Sequence, residues 1–171
     1  MKEKDNTTTR IFALNVNGLS LDRQGEQFDS LCKITKEAQS DVVRYQEHNV
    51  DTSQPVVRSI LHNTHRQYWH RFRLQTGATK HSFLQWYKLV GTLMYSVGNT
   101  SGQVKKQSQD HMGRWVLQTM NGYGGKYITI ISAYQAVTDC HHTGSTTVTT
   151  QQRNVLVQQQ HPLQEPRKAF K

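Results

Sequence analysis

The alternation of strand-like and helix-like segments constrains this chain most. Arg10 to Val16 (RIFALNV) is a short apolar run that Asn17-Gly18 breaks, which reads as a buried strand ending in a turn. Asp22 to Ser40 places Phe28, Leu31, Cys32 and Ala38 at helical spacing. Asp41 to Gln46 (DVVRYQ) is a second strand. Gln54-Pro55 opens a short helix with Val56, Val57, Ile60 and Leu61 on one side, and proline suits a first turn. Gln67 to Leu74 reads as a strand rich in aromatics and arginines, and residues 75–91 as a loop punctuated by Gly77 and Gly91. Thr92–Val97, Arg114–Thr119 and Lys126–Tyr134 read as three further strands separated by Gly- and Asn-rich turns. Residues 145–160 read as a polar helix with Val148, Val155 and Leu156 inward. Strand–helix–strand–helix followed by antiparallel strands is the pattern of a mixed α/β sandwich.

Length sets the scale of that sandwich. The 171 residues suit one domain, or a large piece of one. A chain of this size buries about two-thirds of its unfolded surface. Only 35% of its residues are apolar and the mean hydropathy is −0.74, so the expected core is modest. Two cysteines, Cys32 and Cys140, cannot build a disulfide-dense secreted scaffold and read as reduced thiols. No apolar run approaches the roughly 18 residues of a membrane span, and MKEKDNTTTR lacks the apolar stretch of a signal peptide. The reading is an intracellular protein, nuclear or cytoplasmic, with no membrane partner and no oligomeric state indicated. Residues 1–7 read as a flexible N-terminus and 8–171 as the domain.

The net charge of +9 is uneven. Residues 1–57 hold 7 basic and 9 acidic side chains, whereas residues 58–115 hold 9 basic and 1 acidic. A basic middle suggests a polyanionic partner, most simply nucleic-acid phosphate.

Three strand ends could carry chemistry. Asn15-Val16-Asn17-Gly18 sets two amides one residue apart, able to orient a phosphate or a metal-bound oxygen; a plain Asn-Gly turn explains them equally. Gln46-Glu47 puts a carboxylate at a strand end, suited to a hard divalent cation that prefers oxygen ligands. If the first two strands are parallel and end together, Asn15, Asn17 and Glu47 meet at one edge, where such sheets bind ligands. Ser132-Ala133-Tyr134 offers a phenol to a phosphate oxygen, or is an ordinary strand aromatic.

Taken in order, LNVNGL at 14–19, DVVRYQEHN at 41–49, YKLVGT at 87–92, GRW at 113–115 and IISAYQ at 130–135 resemble the endonuclease/exonuclease/phosphatase superfamily. Among its members, the chain is most similar to the deoxyribonuclease I-like endonuclease domains of retroelements. The resemblance runs from residue 8 onward. It implies a four-layer α/β/β/α sandwich and Mg²⁺- or Mn²⁺-dependent hydrolysis of a phosphodiester, with DNA rather than RNA as the partner. It implies Glu47 as the metal-binding glutamate and Asn15 as the amide that positions metal and phosphate. Asn17 then sits near the same centre, and Tyr134 contacts the scissile phosphate.

The family pattern continues with a Gly-Asp-x-Asn strand and a Ser-Asp-His end, and neither motif occurs here. Asp110 and Asp139 are the only aspartates after residue 51, and neither has the right neighbours; His141-His142 reads as loop. The expectation is an incomplete domain, its first half only, that lacks an activating Asp and a phosphate-binding His. Losing such groups commonly costs on the order of a hundredfold or more in rate, so the chain alone is expected to be inactive. Arg44 in mid-strand, Leu89-Val90 in place of Pro-Gly, and Gln135 after the tyrosine are departures that suit a decayed copy. Two alternatives stand beside the hydrolase. One is a non-catalytic nucleic-acid-binding module that stacks bases on Tyr68, Trp69, Phe72, Phe83 and Trp86. The other is a retroelement remnant with an unpaired sheet edge.

Overall fold

In the computed structural model, the described residues are 4–5, 7–21, 26–77, 91–110 and 113–134. They form two facing sheets with helices on one side, the α/β sandwich that the segment order implied. The elements in chain order are β1 (Ile11–Asn15), α1 (Glu26–Glu37), β2 (Val42–Gln46), α2 (Pro55–Tyr68), β3 (Phe72–Gly77), β4 (Thr92–Val97), α3 (Gly98–Gln103), β5 (Val104–Gln109), β6 (Trp115–Asn121) and β7 (Tyr127–Ala133). The first sheet has the order β1-β2-β4-β3 and the second β5-β6-β7. β1 and β2 run parallel, with Asn15 opposite Gln46; all other pairings are antiparallel.

Period-two alternation divides β2 and β4 between two cores. Val43, Tyr45, Leu93 and Tyr95 point toward the helices and pack with Phe28 and Cys32 of α1 and Leu61 of α2. Val42 and Met94 point the other way and meet Val116 and Met120 of β6 between the sheets. Full burial of these side chains contributes about 1.5–3 kcal/mol each. Cys32 is a free, buried thiol pushed up to about 12 by burial and then by the nearby Asp29 charge, which keeps it protonated and inert.

The space between the sheets also holds polar side chains. Ser96 Oγ donates to Gln118 Oε1 at 2.6 Å, and Gln118 Nε2 donates to the Arg73 carbonyl. Arg44 and Gln46, two positions apart on β2, face β7. The Gly122 N–H to Lys126 O and Tyr134 N–H to Arg114 O bonds place the even-numbered residues of β7 in its bonded pairs with β6. The carbonyls of Ile131 and Ala133 therefore point away from β6. Arg44 Nη1 donates to the Ile131 carbonyl at 3.1 Å and Gln46 Nε2 to the Ala133 carbonyl. Side chains from β2 thus satisfy the open edge of β7. The charge at Arg44 gains one hydrogen bond, while its Nε is buried without a partner.

Several expectations need correction. β1 is not a buried strand: it pairs only with β2 among the described residues, and Ile11 and Leu14 are exposed. α2 is not short. It runs 14 residues, because Leu61 and His65, one turn apart, both bury and carry the helix past Gln67. β3 therefore begins at Phe72 and takes in residues 75–77, and Val56 is exposed rather than packed. The Gly- and Asn-rich stretch read as a turn after β4 is the helix α3, and β5 (VKKQSQ) lacks the apolar period of a strand. Lys4, in the segment read as flexible, pairs with Asp41. The helix read at 145–160 lies outside the described residues, as do Cys140, Phe83, Trp86, Leu89, Val90, Gln135, Asp139 and His141-His142.

Candidate active site

The parallel register of β1 and β2 ends both strands at one level, and the chain leaves each through left-handed backbone. Asn17 has φ 45°, Glu47 55° and Asn49 54°. Asparagine tolerates this region; glutamate does so at a cost of about 1–2 kcal/mol. Backbone bonds between the two exits offset that cost. Gly18 N–H donates to the Glu47 carbonyl at 2.7 Å, Leu19 N–H to the His48 carbonyl at 2.8 Å, and Val16 N–H to the Gln46 carbonyl.

This clasp brings the two amide and carboxylate positions together. Asn15 Nδ2 donates to Glu47 Oε1 at 2.9 Å, and Asn15 Oδ1 accepts the backbone N–H of Asn17 at 3.0 Å. Asn15 is thereby fixed at both ends, and its amide orientation follows from its partners. Glu47 is half-buried and keeps its second oxygen free of protein partners among the described residues. Asn17 contributes its turn and its backbone N–H.

Tyr134 follows β7 and is almost fully buried. Its N–H bonds to the Arg114 carbonyl, and the Gln46–Ala133 tie fixes the end of its strand against β2. Its phenol is held above the ordinary tyrosine value, first by burial and then by the charge of Glu47. The phenol is therefore a hydrogen donor throughout neutral pH, close enough to Glu47 to feel its charge.

Two further residues of the 41–49 motif, to which the sequence assigned no role, build the platform. His48 is fully buried: its Nδ1 accepts the Val50 N–H at 3.1 Å, so Nε2 carries the proton and donates to the Gly77 carbonyl at 3.2 Å. Burial pushes its pKa down to about 4, and the ring stays neutral. His48 thus ties the segment after Glu47 to the end of β3. The second is Gln46, whose amide spans the sheets. A polar residue at the inward position next to Glu47 was the available signal.

The Gly-Thr and Gly-Arg-Trp motifs are structural. Thr92 Oγ1 donates to the Gly113 carbonyl at 3.2 Å. Asp110 Oδ1 accepts the N–H groups of Arg114 and Trp115, and Asp110 Oδ2 faces Arg114 Nε at 3.4 Å, both side chains being buried. Asp110 and Arg114 are committed to each other and to this turn. Tyr68, Trp69 and Phe72 pack against the helix-side core.

Among the described residues no group of three or more His, Cys, Asp or Glu gathers to hold a metal ion. Glu47 with the Asn15 amide is a sparser donor set. Its all-oxygen chemistry fits Mg²⁺, which proteins commonly hold through one or two carboxylates while waters and substrate phosphate complete the shell. No described helix is long and apolar enough to cross a membrane.

No family model matches the sequence, and no curated protein does. Among solved structures, the chain is similar to an endonuclease/exonuclease/phosphatase family protein from Leptotrichia buccalis C-1013-b, with a TM-score of 0.57 and 19% sequence identity. The similarity covers 90% of this chain and 62% of that one, so the chain spans about three-fifths of that protein's length. The motif order and the backbone therefore agree: this chain has the fold of an endonuclease/exonuclease/phosphatase family protein.

Proposed function

We propose that the end of the sandwich formed by Asn15, Asn17, Glu47 and Tyr134 is a metal-dependent phosphodiesterase site of the endonuclease type, acting on nucleic acid, DNA rather than RNA. The observation that carries this reading is the 2.9 Å bond between Asn15 and Glu47 at the ends of two parallel strands, with Tyr134 following the Ala133 carbonyl that Gln46 holds. Glu47, through its free oxygen, would hold Mg²⁺ or Mn²⁺. Such an ion neutralises phosphate charge and polarises the phosphoryl oxygens. Asn15 orients the carboxylate, and its fixed amide keeps Glu47 from swinging into solvent. Tyr134 donates a hydrogen bond to a phosphate oxygen.

Hydrolysis also needs a group to activate water and donors for the charge that develops on phosphorus. Asp110, the one described aspartate beyond residue 51, is bound to Arg114, Trp115 and the turn between them. The described residues thus supply the metal and phosphate-contact part of the site without a second carboxylate free to activate water. They are read as engaging a phosphodiester without cleaving it. A Mg²⁺-dependent plasmid-nicking assay with Glu47→Ala as control should show both proteins at the level of blank. Clear nicking by the natural sequence that Glu47→Ala abolishes would contradict the inactivity and uphold the site.

A further inference from the structure

The basic excess between residues 58 and 115 has a structural focus that lies outside the Glu47 end. A groove of about 440 Å³ runs along the outer edge of β3, between α2 and β5. Arg58, His62 and Arg73 line it, and Leu61, Phe72 and Leu74 form its apolar floor. Gln75, Gln107 and Gln109 close its far wall, and no carboxylate lines it among the described residues. The three basic side chains are exposed.

Each part of this lining has a use. Arg58 and His62 lie one turn apart on α2 and therefore share a face. Arg73 comes from the strand opposite, so the cations stand on both banks. The His62 ring lies 4.8 Å from the Phe72 ring, which leaves an exposed aromatic surface above an apolar floor. The Gln107 Nε2 is shielded from solvent and has no hydrogen-bond partner, while Gln75 Nε2 donates to Gln109 Oε1 at 2.6 Å. Amides on one wall offer donors and acceptors to base edges. Cations along both banks match phosphates, and a ring at the floor matches a base plane. A concave notch of this size admits an unpaired strand, whereas a duplex needs a broad open face.

We propose that this groove is a second nucleic-acid contact, which takes an unpaired strand by its phosphates on Arg58 and Arg73 and by a base against His62. β3 lies two strands from β2 in the sheet order, about 10 Å to the side of the Glu47 strand. The groove shares with the proposed function only its class of ligand, so the two can fail separately.

The test is fluorescence anisotropy of a labelled single-stranded oligonucleotide titrated with the full chain at several salt concentrations. The variants are Arg58→Gln/Arg73→Gln, Arg73→Glu alone and Lys33→Gln. Arg58 Nε also holds the Thr52 carbonyl at 2.7 Å, and Arg73→Glu guards against a folding effect of changing Arg58. The double variant should bind about tenfold or more weakly at low salt. The slope of log K against log salt should fall by about 1.4, or 0.7 for each lost phosphate contact on a single strand. Arg73→Glu should weaken binding as well, and Lys33→Gln, which removes an exposed charge of α1 outside both sites, should bind as the natural sequence does. Unchanged affinity and slope in both groove variants overturns the proposal. So does an equal loss of binding in Lys33→Gln, or binding of polyglutamate with none of the oligonucleotide.

Discussion

A side chain at residue 91 would collide with His48. Gly91 has φ +126°, and a Cβ built there lies 2.4 Å from His48 Cε1. The glycine of the Gly-Thr motif is thus explained by the imidazole that anchors the Glu47 loop. Gly91→Ala should destabilise the protein by about 2–4 kcal/mol, combining overpacking with left-handed strain. Urea unfolding checks this, and an unchanged midpoint would count against the packing described. Arg44 makes the opposite case. Its one bond to Ile131 leaves a half-buried charge with an orphaned Nε. Arg44→Met removes that desolvation cost along with the bond, and should be neutral or stabilising by about 1 kcal/mol. A loss of more than about 2 kcal/mol would show that the tie to β7 outweighs the charge.

At the scale of elements, α2 shows where the sequence was silent. Of Val56, Val57, Ile60 and Leu61, read as one face, Leu61 is buried and Val57 packs against the core, whereas Val56 is exposed and His65 completes the inward face. A histidine among Phe28, Trp69, Phe72 and Tyr95 is not read as core from its residue type, because only neighbours from other elements make the site apolar. Its Nδ1 donates to the Leu61 carbonyl, and burial brings its pKa down to about 4, as at His48. Both histidines titrate near 6.5 when unfolded, so between pH 6.5 and 4 the unfolded chain binds about two more protons. The stability due to their neutral burial is present above pH 6.5 and is lost as pH falls toward 4. Denaturant midpoints at pH 7 and pH 4.5 should differ accordingly, and His65→Phe should flatten part of the slope. Equal midpoints at both pH values would contradict the burial of both rings.

Across the whole molecule, strong local signals were the legible ones. RIFALN, DVVRYQ, TLMYSV and KYITIISAY combine apolar runs with turn punctuation, and each corresponds to a strand. β5 is an edge strand of Lys, Gln and Ser, and its place comes from pairing with β6 rather than from its own pattern. The meeting of Asn15 with Glu47 followed from one inference, that two parallel strands end together. The ties through Gln46, Arg44 and His48 depend on which sheet lies opposite, and sequence spacing does not carry that. β1 has one neighbouring strand among the described residues, and Ile11 and Leu14 are exposed along it. Such edges pair with other chains. Sedimentation velocity should therefore show concentration-dependent self-association that Ile11→Lys reduces, and a single monomeric species at every concentration would contradict this.

The central claim is that Asn15, Glu47 and Tyr134 form one site for a divalent cation and a phosphodiester. Paramagnetic broadening by Mn²⁺ of the amide signals of the isotopically labelled chain tests it most directly. Broadening should centre on residues 15–18, 46–48 and 134 and should vanish in Glu47→Gln. Broadening elsewhere, or a pattern that Glu47→Gln leaves intact, would contradict it.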